Sequence, residues 1–216
     1  MNLYSIYEKL HWRFGPPSGQ WSFWCQRPKT AEEKEIVIIE SILTQRARWE
    51  NVQLAVKKMQ AGGLLKLEKL LQSSDKELLP AIRPSGFYNI KLQRLRDVAR
   101  FFLDEKGGVA NADNTSTATL REELLLLKGI GPETADDIIL YAFHRPVFVV
   151  DEYTRRLLKA LKLTDKNSYA SIQAFFQDNL PADYGLYQDF HALIVISGKT
   201  SGSSWNLLKN CGEMNT

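Results

Sequence analysis

Leu127-Lys128-Gly129-Ile130-Gly131-Pro132-Glu133-Thr134-Ala135, with Val149-Val150-Asp151 downstream, is the stretch that decides how this chain reads. Leu120 to Leu127 has helical periodicity, Lys128 to Gly131 reads as a turn, and Pro132 suits the first position of a second helix. Two glycines flanking Ile130 let the backbone turn tightly and meet a ligand with no Cβ in the way. Glu133, Asp136 and Asp137 fall near the positive end of the second helix, and Ala135, Ile138, Ile139 and Ala142 give it a buried stripe. N–H groups at such a helix start bind phosphate without reading sequence. Taken alone, the pattern also fits a helical hairpin whose glycine turn serves packing only.

Asp151 stands 20 positions after Gly131, where an apolar run stops and Glu152-Tyr153-Thr154-Arg155-Arg156 begins a helix. That is an N-cap position, and capping is the plain reading of the residue. A lone carboxylate held at such a boundary also suits catalysis, and one side chain can do both.

Outward from this string the chain reads as all-α. A helix over about 30–44 is capped by Thr30 and carries Ile36, Ile39, Ile42 and Leu43 at helical spacing. Another over about 48–60 stops at Gly62-Gly63. One or two helices follow in about 64–82, and another spans Tyr88 to Leu103 after a turn at Arg83-Pro84-Ser85-Gly86. Later helices are predicted at about 152–161, 168–178 and 184–197. Residues 11–30, rich in Trp, Phe and Pro, read as irregular, and Gly107 to Thr119 as a loop. Val147 to Val150 is strand-like but too short to make a sheet.

The bulk numbers exclude little. The 216 residues suffice for a core, as one domain or two modest lobes. A net charge of +3 and a pI near 8.8 permit nucleic-acid binding without arguing for it. No apolar run approaches the roughly 20 residues of a membrane span. The start, Met1-Asn2-Leu3-Tyr4, lacks a secretory pattern, so a cytoplasmic location is expected. Cys25 and Cys211 lie far apart and form no metal-spaced cluster.

The full Leu-x-Gly-Ile-Gly-x-x-Thr-Ala string resembles the helix-hairpin-helix of the endonuclease III-like (HhH-GPD) DNA glycosylases. The resemblance runs over roughly residues 30–200. It implies an all-α, two-lobed fold with a central cleft. One lobe would be a helical barrel over 30–142 including the hairpin, and the other 1–29 plus 143–216. Lys128, Gly129, Ile130 and Gly131 would grip DNA phosphate, and Asp151, at the family's distance from the hairpin, would be the catalytic carboxylate. A fixed anion stabilises the positive charge that grows on deoxyribose as an N-glycosidic bond breaks, and it can also orient a water.

Two more segments extend the resemblance. Ile42-Leu43-Thr44-Gln45 is similar to the segment whose glutamine enters the gap left by an extruded base. Gly86-Phe87-Tyr88-Asn89-Ile90-Lys91 resembles the loop carrying a second, apolar wedge, here Phe87. Without the hairpin, Gln45 would read as a helix-end polar residue and Phe87 as a core aromatic.

The branch of the family is read from a departure. Bifunctional members carry a lysine two residues after the second hairpin glycine, which attacks the sugar and forms a Schiff base. This chain has Glu133 there, which implies base release without strand cleavage. His191-Ala192-Leu193-Ile194-Val195 resembles the helix that leads into the family's four-cysteine iron–sulfur cluster, but only Cys211 follows, so no cluster is expected.

Arg83-Pro84-Ser85-Gly86-Phe87-Tyr88-Asn89, the lysine-free hairpin and Trp21-x-x-Trp24 look most like the monofunctional 3-methyladenine DNA glycosylases. Alkylated purines are cationic and labile, so stacking and cation–π attraction can recognise them. Trp21, Phe23 and Trp24 are the candidates for the base pocket, with an aromatic plug as the alternative. Glu133 and Lys199 are further candidates for the same pocket. The resemblance also suggests a Na⁺ or K⁺ ion on the carbonyls of Leu125, Leu127 and Ile130, and no other cofactor. The expected partner is double-stranded DNA containing damaged bases, bound by a monomer, with no membrane. A glycosylase for a mispaired or oxidised base, and a non-catalytic DNA-binding relative, remain alternatives.

Overall fold

The computed structural model describes residues 2–200 and 205, and every regular element among them is a helix. In chain order these are α1 (Leu3–Phe14), α2 (Gln20–Trp24), α3 (Ala31–Leu43), α4 (Trp49–Ala61), α5 (Leu67–Gln72), α6 (Asp75–Ile82) and α7 (Tyr88–Arg100). They continue as α8 (Val109–Ala112), α9 (Thr117–Leu126), α10 (Pro132–Asp137), α11 (Glu152–Leu161), α12 (Tyr169–Asp178) and α13 (Tyr184–Thr200). α7 and α10 each run on into a π-helical turn, Phe101–Glu105 and Ile138–Ala142. None of these helices is long and apolar enough to cross a membrane. The chain divides into two compact units, Pro28–Phe143 and Met1–Arg27 with His144–Thr216.

In the unit Pro28–Phe143, α3 is the central element. Thr30 and Glu33 form a reciprocal capping box, the Glu33 N–H donating to Thr30 Oγ1 at 3.2 Å and the Thr30 N–H to Glu33 Oε2 at 2.8 Å. From Val37 to Leu43 every residue is buried, not only one stripe. A helix apolar all round belongs inside a core. α3 accordingly packs on α4, α7, α8 and the π turn Ile138–Ala142, while α7 also covers α5 and α6. Each buried Ile or Leu contributes about 1.5–3 kcal/mol of transfer free energy.

The stretch expected as a loop, Gly107 to Thr119, holds α8 and the start of α9. Gly108, at φ 113°, swings the chain so that Val109 and Ala112 enter the core. Ser116 Oγ then accepts the Thr119 N–H at 3.1 Å and starts α9.

In the unit formed by Met1–Arg27 and His144–Thr216, the expected irregularity of residues 11–30 is corrected. α1 occupies residues through Phe14, because Asn2 Oδ1 caps the Ser5 N–H at 2.7 Å and Leu3, Ile6 and Leu10 pack toward α13. Gly15, at φ 69°, ends it by returning its N–H to His11 O at 2.8 Å. Aromatic and proline content obscured this periodicity.

Val147 to Val150 is buried and extended without pairing as a strand. Side chains of α12 satisfy its backbone instead. Gln173 Nε2 donates to Phe148 O at 2.7 Å, Gln177 Oε1 accepts the Phe148 N–H at 3.0 Å, and the Val150 N–H reaches Tyr169 Oη at 3.4 Å. Phe148 stacks on Phe176 with centroids 4.0 Å apart. Trp205 is buried and donates from Nε1 to Ser197 Oγ at 2.8 Å. Cys211 lies outside the described residues. Cys25 is a half-buried thiol whose Sγ donates to Gln188 O at 3.8 Å.

Candidate active site

Within the first unit, α9 and α10 meet in the turn Leu127–Ile130, closed by the Ile130 N–H donating to Leu127 O at 3.0 Å. Gly129 occupies the third turn position at φ 86°, a conformation that glycine adopts freely. The two glycines therefore have different duties. Gly131 has ordinary dihedrals (φ −94°, ψ 177°) as N-cap of α10, and no atom lies within 4 Å of where its Cβ would stand. Lys128, Gly129, Gly131, Pro132 and Glu133 are exposed, whereas Ile130 is buried and anchors the turn. Asp136 does not act at the helix start. Fully buried, it accepts from Arg121 Nε at 2.6 Å and Nη2 at 3.0 Å, bracing α10 against α9.

Gln45 and Phe87 belong to the same unit. Gln45 follows α3 and donates from Nε2 to Gly129 O at 3.2 Å and to Thr134 Oγ1 at 3.0 Å. Its Oε1 accepts from Arg94 Nη1 at 2.5 Å. The Arg94 guanidinium fills the space beside Gly129, where a Cβ would come within 2.1 Å of Nε. The structure thus brings Gln45 onto the hairpin turn itself. Phe87 is 61% exposed and left-handed (φ 47°), which overturns the alternative of a core aromatic.

In the second unit, Asp151 closes the buried run Val147–Val150 and caps α11, its Oδ1 accepting the Thr154 N–H at 2.7 Å. Its Oδ2 lies 3.7 Å from Nε2 of the buried His191 on α13. Burial pushes the Asp151 carboxyl up, but the His191 ring and the Thr154 N–H outweigh it, and the net effect holds the carboxyl below the usual Asp range. Asp151 is therefore an anion at neutral pH, with 15% of its side chain exposed. Such a fixed anion can stabilise a developing cation or orient a water.

The aromatic candidates sort by burial. Trp21 and Trp24 are buried and pack edge to face with centroids 5.8 Å apart, while Phe23 is half-buried. Trp21 also sets its edge against His191 at 5.5 Å, which places it one residue from the Asp151 carboxylate. Lys199 is exposed and donates from Nζ to Gln20 Oε1 at 3.1 Å, so it is held to the helix that carries Trp21. Of the carbonyls considered for a cation, Leu127 O spends one lone pair on Ile130 and keeps the other. Leu125 lies in the last turn of α9, whose carbonyls have no helical partner.

Sequence reasoning missed His191, Arg94 and Arg121 as site residues. A histidine within the apolar run Phe190 to Val195 was the available signal for the first. For the two arginines there was none, since each acts on a partner distant in sequence.

Three comparisons show what the chain is similar to. The family model of HhH-GPD superfamily base excision DNA repair proteins matches residues 39–182. A Methanocaldococcus jannaschii protein, provisionally called a DNA repair glycosylase, is 40% identical over 184 residues, covering 84% of each chain. Endonuclease III of Thermotoga maritima is 28% identical over 147 residues, 68% of this chain and 65% of its own. Among solved structures, an H. pylori 3-methyladenine DNA glycosylase bound to 1,N6-ethenoadenine superposes with a TM-score of 0.78 at 27% identity. The superposition covers 92% of this chain and 98% of that one.

Proposed function

The chain belongs to the HhH-GPD superfamily of base excision DNA repair proteins, and from that premise we propose that it is a monofunctional DNA glycosylase. Its reaction is hydrolysis of the N-glycosidic bond of a flipped alkylated purine, such as 3-methyladenine, in double-stranded DNA. The observation that carries the reading is Asp151. Fixed by Thr154 and His191 and held as a carboxylate, it stabilises the cationic sugar and orients the attacking water.

Glu133 supports the absence of a lyase step, because a carboxylate cannot form an imine with the sugar. The exposed turn Lys128 to Gly131 holds a phosphate, with Na⁺ or K⁺ on the carbonyls of Leu125, Leu127 and Ile130 supplying positive charge there. Gln45 and Phe87 enter the duplex as the base leaves. Trp21, next to His191, takes the extruded base with Phe23, Trp24 and Lys199 around it. The 27% identity with an H. pylori enzyme called a 3-methyladenine DNA glycosylase supports the substrate class. Two cysteines in 216 residues cannot supply a four-thiolate cluster, and no iron–sulfur group takes part. The protein acts as a monomer in the cytoplasm.

The test uses duplexes that each carry one defined lesion, treated with protein and then with or without alkali. Release of an alkylated purine, with strand breakage only after alkali, is the expected result. Breakage without alkali, or a borohydride-trapped adduct, would sink the monofunctional assignment.

A further inference from the structure

The segments that carry Gln45 and Phe87 share a backbone feature. Arg46 (φ 50°) and Phe87 (φ 47°) are both left-handed, and neither is glycine. That conformation is strained for an L-residue. It persists only where the surroundings enforce it.

One buried group holds both segments. Lys91 of α7, 1% exposed, donates from Nζ to Leu43 O and to Ser85 O, each at 2.7 Å. Leu43 is the last residue of α3, and the turn after it sends the Ala47 N–H to Thr44 O. The ammonium thus takes a carbonyl at the negative end of α3, two residues before Gln45. Ser85 closes the 3₁₀ turn Arg83–Ser85, two residues before Phe87. Three residues along the same helix, Arg94 binds the Gln45 side chain and fills the space beside Gly129. One face of α7 therefore touches both strained segments and the hairpin turn.

We propose that Lys91 is a positioning residue that fixes the spacing of Gln45 and Phe87 before DNA arrives, so that the two intrude as one rigid pair. The inference rests on the reading of Gln45 and Phe87 as intruding residues. A side chain displaced by an ångström loses much of its effect, whereas phosphate contact at the hairpin does not depend on that spacing.

The test compares the full chain with Lys91→Met, with Gln45→Ala/Phe87→Ala, and with the triple variant. Two signals are read: single-turnover base release, and fluorescence of a 2-aminopurine placed opposite the lesion as it unstacks. Lys91→Met is expected to lower both, base release by about tenfold or more, while affinity for undamaged duplex stays unchanged. In the Gln45→Ala/Phe87→Ala background it should add no further loss. Lys91→Arg, which keeps donors for both carbonyls, should restore part of the signal. Should Lys91→Met lose its far-UV dichroism, Lys91→Gln carries the same comparison. If wedge variants are impaired and the Lys91 loss adds in full, the positioning role is overturned and the wedges stand. If Gln45→Ala/Phe87→Ala retains full activity, the wedge reading falls and the positioning role with it.

Discussion

The Asp151 carboxylate lies 3.7 Å from His191 Nε2. Its other oxygen accepts the Thr154 N–H at 2.7 Å, so the carboxylate is fixed from two helices, α11 and α13. Burial alone would favour the neutral acid, and these neighbours reverse the balance.

Removing His191 should therefore raise the Asp151 pKa. A depressed carboxyl pKa gives stability and function that are present above the unfolded value and lost as pH falls through the folded one. The acid limb of single-turnover base release is expected to move to higher pH in His191→Ala. Profiles over about pH 4–8, spanning the ordinary carboxyl range and its upward shifts, check this. An unmoved limb would mean that His191 does not act on the carboxylate.

Lys91 gives a pH dependence of the same sign in a higher window. Burial, with the Arg94 charge nearby, pushes its ammonium down to about 8 from 10.5. Between those values the unfolded chain binds more protons than the native one, so native stability rises with pH in that window. The gain over that window is on the order of 3–4 kcal/mol, at about 1.4 kcal/mol per pH unit. Urea unfolding of wild type and Lys91→Met from about pH 7.5 to 10 should show that slope only in the wild type.

The monofunctional reading sets Glu133 where bifunctional relatives carry a Schiff-base lysine. Glu133→Lys is expected to create a borohydride-trapped adduct on lesion DNA, and the wild type is expected to form none. Gel-shifted covalent complex after reduction is the readout, and its absence in Glu133→Lys would show that this position does not reach the sugar.

The hairpin and the cap at Asp151 were legible because their signals are local: glycines at a turn, proline at a helix start, an acid ahead of a helix. α3 was legible in extent but not in burial, since from Val37 on every residue is buried, Glu40 and Ser41 included. α1 was hidden by its aromatic and proline-rich surroundings, although Leu3, Ile6 and Leu10 keep helical spacing. The supporting residues were not legible at all. Lys91 reaches Leu43 across 48 positions and Gln45 reaches Gly129 across 84, and nothing in local spacing reports such contacts. The extended run before Asp151 resembled a strand because burial, not pairing, selects its Val and Phe residues.

The reading of Asp151 as acting on the glycosidic bond, beyond starting α11, turns on its charge. Asparagine caps a helix about as well as aspartate, so Asp151→Asn keeps the fold while removing the charge. Single-turnover release of an alkylated purine from a duplex is the direct measurement. A fall of about a hundredfold or more, with duplex affinity retained, is expected. Release by Asp151→Asn at the wild-type rate would contradict it.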